Sequence, residues 1–425
     1  MNNRNLLRMF IVGGAFCLLT SLTACNFQQK SLKEIAEETD EDYQIKGKQQ
    51  TIVRNCNDFS FKLFKIIAEN EKNKNVFVST IGMYYALNII NNGASGATQQ
   101  EICKALNIYS ADVEEMNNLC RRMIIGQAKK KMYDYSGPSA NLRTASLLVT
   151  GKDADINNSF LDIVKHDYFG SIMKGDNEQE LQQRINKWCA EQTEGMISRL
   201  PMESIDSKSV NLMVANYFFG NWEIEFDKSD TKKEPFKDGT SSMVNMMNQN
   251  VEDCYYYAKF NDFSLLKIPY VGGYYLNIIL PDQTDGLVPL LQSLDGKKMK
   301  SAFRQLKKNY IVYLKLPKFE VEYSFSATDY LTSLGIKRAF SDLAELDKIQ
   351  SEPMVISGIK QIAKIILNEE ATRAASVTGI ELAVMAEKKK PSEVHFYADH
   401  PFAYIIEDPF GNYCFMGTFC GDSEH

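Results

Sequence analysis

The sequence predicts a single large domain over residues 50–421 that mixes helices and strands, the α+β class. Three observations carry this. The chain has 425 residues, enough to bury a large core, and no Pro/Gly/Ser linker divides residues 50–421. Segments with apolar residues at helical spacing alternate with apolar runs of strand length. The run Val210 to Phe226, VNLMVANYFFGNWEIEF, is too continuously apolar to have a wet face, which places it in the middle of a sheet.

Residues 1–24 precede that domain and differ in kind. Arg4 and Arg8 lead into the apolar run Met9 to Leu19, too short to span a bilayer comfortably, and Leu22-Thr23-Ala24-Cys25 closes it. This is the form of an export signal, and the closing tetrapeptide resembles the lipobox of bacterial lipoproteins. The resemblance implies a lipid on Cys25, an exported protein anchored to a bacterial membrane, and an outer-membrane or cell-surface location. Several acyl chains on one cysteine hold a protein stably, where one chain binds only marginally. Residues 25–49 carry KEIAEETDEDYQ and too little apolar surface to fold alone, so they read as a tether.

Within the domain, Ile52, Cys56, Phe59, Leu63 and Ile67 recur at helical spacing and predict an amphipathic helix over 50–70, broken at Asn73 to Asn75. A strand and an apolar helix follow through NVFVSTIGMYYALNIINNG. Gly93 and Gly96 permit the next turn, and Thr98 with Glu101 is expected to form a capping box for the helix after it. Asn141 to Val149 predicts a strand, Ser159 to Tyr168 a helix, and Ile185 onward a helix that stops at Gly195. Met243 to Met247, Leu265 to Tyr270, Tyr274 to Pro281 and Tyr310 to Phe319 read as strands. Phe402 to Ile406 and Tyr413 to Phe419 close the chain as two strands joined by a turn at Pro409 to Asn412.

Composition and motifs exclude several classes of function. A net charge of −6 with Lys and Arg scattered along the chain argues against nucleic acid. Beyond Cys17 and Cys25, seven cysteines remain, an odd number with no CxxC pair, so buried thiols are expected and no metal or other cofactor. The four histidines, His166, His395, His400 and His425, belong to no Gly-x-Ser-x-Gly, His-Glu-x-x-His or Walker pattern. Cys189 with His166 would be the residue pair of a thiol protease, with nothing local to support it. The chain is not expected to be an enzyme.

One stretch fits neither helix nor ordinary loop: Asn368 to Pro401, NEEATRAASVTGIELAVMAEKKKPSEVHFYADHP. Its start, Glu369, Glu370, Ala371, Thr372, Ala374, Ala375 and Ser376, is acidic and then small, and a β-prone run and three lysines follow. The block NEEATRAAS followed by ADHPF resembles the hinge and C-terminal signature of the serpins, a family of serine-protease inhibitors. Further blocks match in order: Asn75, Phe77, Ser79, Ala86, Leu87, Gly93, Ala94, Gly96 and Thr98; Tyr217, Phe218, Gly220, Trp222 and Phe226; LPKFEVE and LTSLGIKRAF; and Phe396 to Ile406. The chain departs from the pattern at Thr80 (usually proline), Gly82 (serine), Met196 (lysine), Ala371 (glycine) and Ala403, a smaller residue than usual. The family's buried asparagine falls on Val214 and its histidine partner on Gln361.

The resemblance implies a serpin-like α+β fold with a large central β-sheet, further sheets, surrounding helices and an exposed reactive loop over 369–395, and a monomer whose partner is a target serine protease held in a covalent complex, with cysteine proteases as a second class of target. The protease serine attacks the bait carbonyl, and the cut loop then inserts into the main sheet before water can release the acyl-enzyme. Family spacing places the bait at Met385 and the cut before Ala386, which implies elastase- or chymotrypsin-like enzymes. Ser79, Trp222 and Gln361 fall in the region of the sheet that must open. With Thr372 as the first inward position, alternation puts Thr372, Ala374, Ser376, Thr378, Ile380 and Leu382 into the core, and none is charged or proline. The competing reading, a non-inhibitory serpin-fold binding or chaperone lipoprotein, predicts a bulky or charged hinge.

Overall fold

A computed structural model describes residues 34, 35, 37, 45–133, 141–202, 209–239, 242–369 and 391–422. Helix α1 (Lys48–Asn70) turns Ile52, Cys56, Phe59, Leu63 and Ile67 into the core, as its periodicity requires, and ends where Asn73 takes a φ of 59°. Strand β1 (Val76–Ser79) then feeds α2 (Thr80–Gly93), in which every residue except Asn92 is buried. A helix apolar on all sides must have packing partners on all sides. It lies between β15 (Tyr413–Phe419) of one sheet and β2 (Asn141–Gly151) and β4 (Val210–Phe219) of another.

Among the described residues there are three sheets. The six-stranded one runs β1, β15, β14 (Phe402–Glu407), β9 (Tyr274–Pro281), β8 (Phe263–Tyr270), β7 (Tyr256–Lys259), and every neighbouring pair is antiparallel. The four-stranded one runs β13 (Ser392–Tyr397), β10 (Tyr310–Pro317), β6 (Met243–Glu252), β5 (Lys232–Pro235). The five-stranded one runs β11 (Phe319–Ser326), β12 (Ile356–Leu367), β4, β2, β3 (Ser171–Gly175), and its central pair, β12 beside β4, is parallel. The molecule is therefore α+β, with β4 at the middle of its sheet and only Phe219 of its ten residues not fully buried.

The remaining helices cover these sheets: α3 (Gly96–Leu106), α4 (Val113–Tyr133), α5 (Asn158–Asp167), α6 (Glu178–Gln192), α7 (Leu287–Ser293), α8 (Gly296–Phe303) and α9 (Thr328–Ser333). Helix α6 packs Leu181, Ile185, Trp188 and Cys189 on the outer face of the five-stranded sheet, against Leu147, Val149, Met213, Ala215 and Ile362. The inner face of the same sheet meets α2.

Three local expectations change. The apolar run from Val210 does not continue as a strand to Phe226: β4 stops at Phe219, and the chain crosses to the six-stranded sheet, where Trp222 bridges Tyr270. Gly220 allows the crossing, because a Cβ there would lie 2.6 Å from the Tyr270 ring. The run Tyr310 to Phe319 divides at Lys318 into β10 and β11, which belong to different sheets. Apolar alternation alone carries no mark of a change of sheet. Thr98 and Glu101 form no capping box: α3 begins at Gly96, and Glu345 reaches in from a distant loop to accept from the Ala97 and Thr98 N–H groups. The Thr98 hydroxyl accepts from Glu345 N–H instead, and Glu101 accepts from the N–H groups of Lys337 and Arg338. A tertiary carboxylate at the helix start leaves the local pair free to tie the loops together.

Candidate functional site

The site is the seam between β12 and β4 and the point at which the chain leaves β12. The seam is closed: Gln361 lies opposite Val214, Ala363 opposite Asn216, and Ile366 opposite Phe219. Gln361 is fully buried and works as a two-point latch to the end of β1. Its Oε1 accepts from Ser79 N–H at 2.8 Å, and its Nε2 donates to Ser79 C=O at 2.8 Å. Ser79 is also the N-cap of α2, where its hydroxyl accepts from Gly82 N–H. Thr80, in place of the usual proline, keeps a backbone N–H and donates its hydroxyl to the carbonyl of Tyr413.

The departures at Gly82, Val214 and Gln361 are one arrangement. The start of α2 lies so flat on β4 that a Cβ on Gly82 would sit 2.8 Å from Asn216 Oδ1 and 2.9 Å from Val214 Cγ1. Glycine is the residue that fits. Val214 gives the Gln361 side chain no polar partner, and Gln361 turns to the Ser79 backbone instead. Asn216, two residues along the same face, is fully buried with neither its Nδ2 nor its Oδ1 hydrogen-bonded. Thr144, its register neighbour on β2, carries a buried hydroxyl that is likewise unpartnered. Each such orphan costs about 1–3 kcal/mol, so the closed seam holds unsatisfied polar groups that a packed sheet ordinarily excludes.

At the end of β12 the chain is clamped. Trp222 is 2% exposed, stacks on Tyr270 at 4.2 Å, and donates its Nε1–H to the carbonyl of Asn368 at 2.8 Å. The Glu369 carboxylate accepts from the Thr231 hydroxyl at 2.9 Å and pairs with Lys318 Nζ at 2.9 Å. Burial alone would raise its pKa, but the bonds from Lys318, its own backbone N–H and Thr231 outweigh that and hold it below the ordinary carboxylate value. Thr231 and Lys318 carried no sequence signal, because each reaches Glu369 from a different loop. Among the other expected site residues, Glu370, Ala371, Thr372, Ala374, Ala375, Ser376, Met385, Ala386 and Cys25 lie outside the described residues. The chain is described again from Pro391, and Ser392 opens β13 beside Tyr310 of β10. The segment 370–390 thus joins the five-stranded sheet to the four-stranded one.

A family model described as "Serpin (serine protease inhibitor)" matches residues 54–421. The chain belongs to the serpins. It is 30% identical to "Serine proteinase inhibitor 2" of variola virus over 84% of this chain and 98% of that one. It is 29% identical to "Serpin-ZX" of Hordeum vulgare over 81% and 89%. Among solved structures it is similar to a thermophilic serpin, Tengpin, in the native state, with a TM-score of 0.73 and 25% identity over 90% of this chain and 96% of that one.

This serpin's other chemistry-bearing residues are occupied structurally. His400 is buried between the Pro281 carbonyl, 2.7 Å from Nε2, and Asp399, 2.9 Å from Nδ1, so its ring ties β9 to the start of β14. Cys189 faces the core from α6, where burial pushes its thiol up to about 12, and His166 is exposed beside Asp167. Such a thiol is not a nucleophile at neutral pH, and the thiol-protease pairing has no structural basis. Cys56, Cys103, Cys120 and Cys414 are buried free thiols as well, while Cys254 and Cys420 are half-buried and free. Among the described residues no group of His, Cys, Asp and Glu is placed to hold a metal ion, and no helix is long and apolar enough to cross a membrane.

Proposed function

We propose that this serpin is a suicide-substrate inhibitor of serine proteases that traps the acyl-enzyme by inserting its cleaved loop between β12 and β4. The observation that carries the reading is the parallel β12–β4 seam, whose β12 side continues directly into the loop. A segment that turns back after Asn368 runs antiparallel to both strands. It replaces one parallel ladder with two antiparallel ones, each slightly more stable per residue. The inner face it must enter is lined by Val214, Asn216, Gln361 and Ala363, a mixed surface of small apolar and amide groups. Thr372, Ala374, Ser376 and Thr378 suit such a surface. The outer face is covered by α6 through Met213 and Ile362, so that helix must lift to admit the strand.

In this mechanism the protease serine attacks the Met385 carbonyl and expels the Ala386 amine, leaving an ester to the protease. Glu369 to Met385 is 17 residues, so a fully extended insertion carries the ester roughly 56 Å from the clamp. Displacement on that scale pulls the acyl group out of register with the oxyanion hole and stalls deacylation. Met385, uncharged and of medium size, suits elastase- or chymotrypsin-like pockets; a cysteine protease would be held by a thioester in the same way. The protein acts as a monomer, exported and tethered by lipid on Cys25 to a bacterial membrane, at the outer membrane or cell surface. The non-inhibitory alternative is disfavoured by a hinge without bulky or inward charged residues.

Incubation with elastase, chymotrypsin and trypsin, followed by denaturing electrophoresis and mass spectrometry, tests the reading. We expect a detergent-resistant complex with elastase or chymotrypsin, and a cut between Met385 and Ala386. Cleavage without complex by every enzyme would sink the inhibitor reading, and a cut after Lys388 or Lys390 would reassign the target class. Anchoring is tested separately: Cys25→Ala should leave the protein unprocessed or free it from the membrane fraction.

A further inference from the structure

A cavity of about 430 Å³ lies where the end of α1, the end of β11 and α9 meet, at the opposite end of β11 from the Lys318 clamp. Strand β11 is the edge of the five-stranded sheet, and alternation turns Tyr323 and Phe325 to the same side. Their rings stack with centroids 5.6 Å apart, and Tyr330 of α9 meets Phe325 edge-on at 5.8 Å. Phe325 is buried, while Tyr323 and Tyr330 are half-buried. Two carboxylates share the cavity with these rings: Glu71, the C-cap of α1, and Asp329 of α9. Asn70 and three serines complete the lining, and no basic residue belongs to it.

The acceptors in this cavity are largely unspent. Among the described residues, neither the Asp329 carboxylate nor the hydroxyls of Tyr323 and Tyr330 have a hydrogen bond or ion pair. Glu71 pairs with Lys74 at 2.7 Å, but that lysine's side chain is 69% exposed, and a single surface pair of this kind holds weakly. No basic residue stands in the last turn of α1, so the negative end of the helix adds to the same field. Tyr330 feels the result: burial first, then the charges of Glu71 and Asp329, hold its hydroxyl above the ordinary phenol value, with Lys74 working against them. Burial and then Glu71 raise Tyr323 in the same way.

We propose that this cavity binds a small organic ammonium ion, its charged head held by Glu71 and Asp329 and its carbon atoms against Tyr323, Phe325 and Tyr330. Ring faces are negative and attract a cation whose charge is spread over carbon, which a hydrated metal ion is not. The volume lies in the range of small-ligand sites. A lining with two carboxylates and no basic group excludes an anion, and its serines and Asn70 suit N–H donors better than a wholly apolar ligand. Lys74 displays the interaction with an ammonium of the chain's own, and a free ligand would compete with it for Glu71. The site makes no use of the reactive loop or of the β12–β4 seam, so it stands apart from the inhibitor reading.

The test titrates the full-length protein with choline, a quaternary probe, and putrescine, a primary one, by calorimetry at constant ionic strength, with sodium chloride as the inorganic reference. We expect at least one probe to bind with one-to-one stoichiometry, and its carbon-bound protons to move upfield in NMR spectra as packing on rings requires. Tighter binding of choline marks a methylated head and tighter binding of putrescine a primary amine, both within the proposed class. Glu71→Gln with Asp329→Asn should weaken binding on the order of 100-fold. Tyr330→Leu should weaken it about tenfold, and Tyr330→Phe, which keeps the ring, by less than about threefold. Lys74→Met removes the internal competitor and should tighten binding about threefold. A control, Asp153→Asn with Asp285→Asn, alters two exposed acids elsewhere and should change little. Thermal melts check folding; should Tyr330→Leu not fold, the carboxylate pair and Lys74→Met decide. No binding of either probe, full binding by the carboxylate variant, equal loss in the control, or displacement by sodium at equal concentration overturns the site. Tighter binding of a blocked pentapeptide with one lysine than of either probe would assign the cavity to a partner's side chain and overturn the ligand class.

Discussion

Two asparagines, Asn216 on β4 and Asn277 on β9, are both fully buried, and their surroundings separate the two main sheets. Asn277 Nδ2 donates to Glu407 at 3.0 Å, and Glu407 is in turn paired with Lys267. It sits in a sheet whose neighbours are all antiparallel and whose β1 and β15 carry stacked aromatics, Phe77 on Phe415 at 4.7 Å. Asn216 has no partner at all, in a sheet whose central ladder is parallel. Asn277 thus keeps one end of its amide hydrogen-bonded although its Oδ1 has no partner, whereas at the seam that the proposed mechanism opens both ends of the Asn216 amide are left wanting, so the closed sheet has something to gain from another strand. Contrast at this level, rather than any single contact, is what makes one sheet a scaffold and the other a candidate moving part.

The largest expected effect is at the latch. Gln361→Leu removes both bonds to Ser79 and leaves the buried Ser79 N–H unpaired, while the Ser79 carbonyl keeps the first bond of α2, a loss of about 1–3 kcal/mol. Urea unfolding of the uncut protein should show it, together with slow self-association through opened sheets on storage. A midpoint unchanged from wild type would mean that the latch does not hold the seam. The two asparagines themselves come next and should move in opposite directions. Asn216→Leu should raise the stability of the uncut form by about 1–2 kcal/mol, because an orphaned amide is replaced by an apolar group of similar size, and Asn277→Leu should lower it by a similar amount. If both are destabilising, the contrast between the sheets fails.

The smallest effect is at the clamp. The pKa of Glu369 is depressed in the folded state, so its contribution is fully present above the ordinary carboxylate value and is lost as pH falls through the lower, folded one. In a Trp188→Phe background, the fluorescence of Trp222 should therefore shift as the pH is lowered from about 5 to about 3. The shift should vanish in Glu369→Gln, whose side chain carries no charge to titrate. A shift that persists in the mutant would place the titration elsewhere.

Much of this was legible in the residues. The 3.6-residue pattern of Ile52 to Ile67 marks α1 because its apolar face is regular, and the run from Val210 is readable as central because it is too continuously apolar to have a wet face, although its end at Phe219 is not. Ser79, Trp222 and Gln361 are recognisable by their place in ordered motifs. What the residues did not carry is long-range. The Thr231 and Lys318 partners of Glu369, and the Glu345 cap that displaces Thr98 and Glu101, join segments more than 50 residues apart, and no local pattern records such a meeting. The end of β4 at Gly220 depends on where the Tyr270 ring lies, which is again a tertiary fact.

The central claim is that the loop enters the seam with Thr372 turned inward, and one substitution addresses it. Thr372→Arg asks a guanidinium to enter a face lined by Val214, Asn216 and Gln361, where no carboxylate waits, at a cost of several kcal/mol for an unpaired buried charge. The measurement is the ratio of covalent complex to cleaved, released product at a fixed amount of elastase. The account predicts that the mutant is cut as fast as wild type but released rather than trapped, so the ratio falls by at least an order of magnitude. A ratio equal to that of the wild type would contradict insertion at this seam.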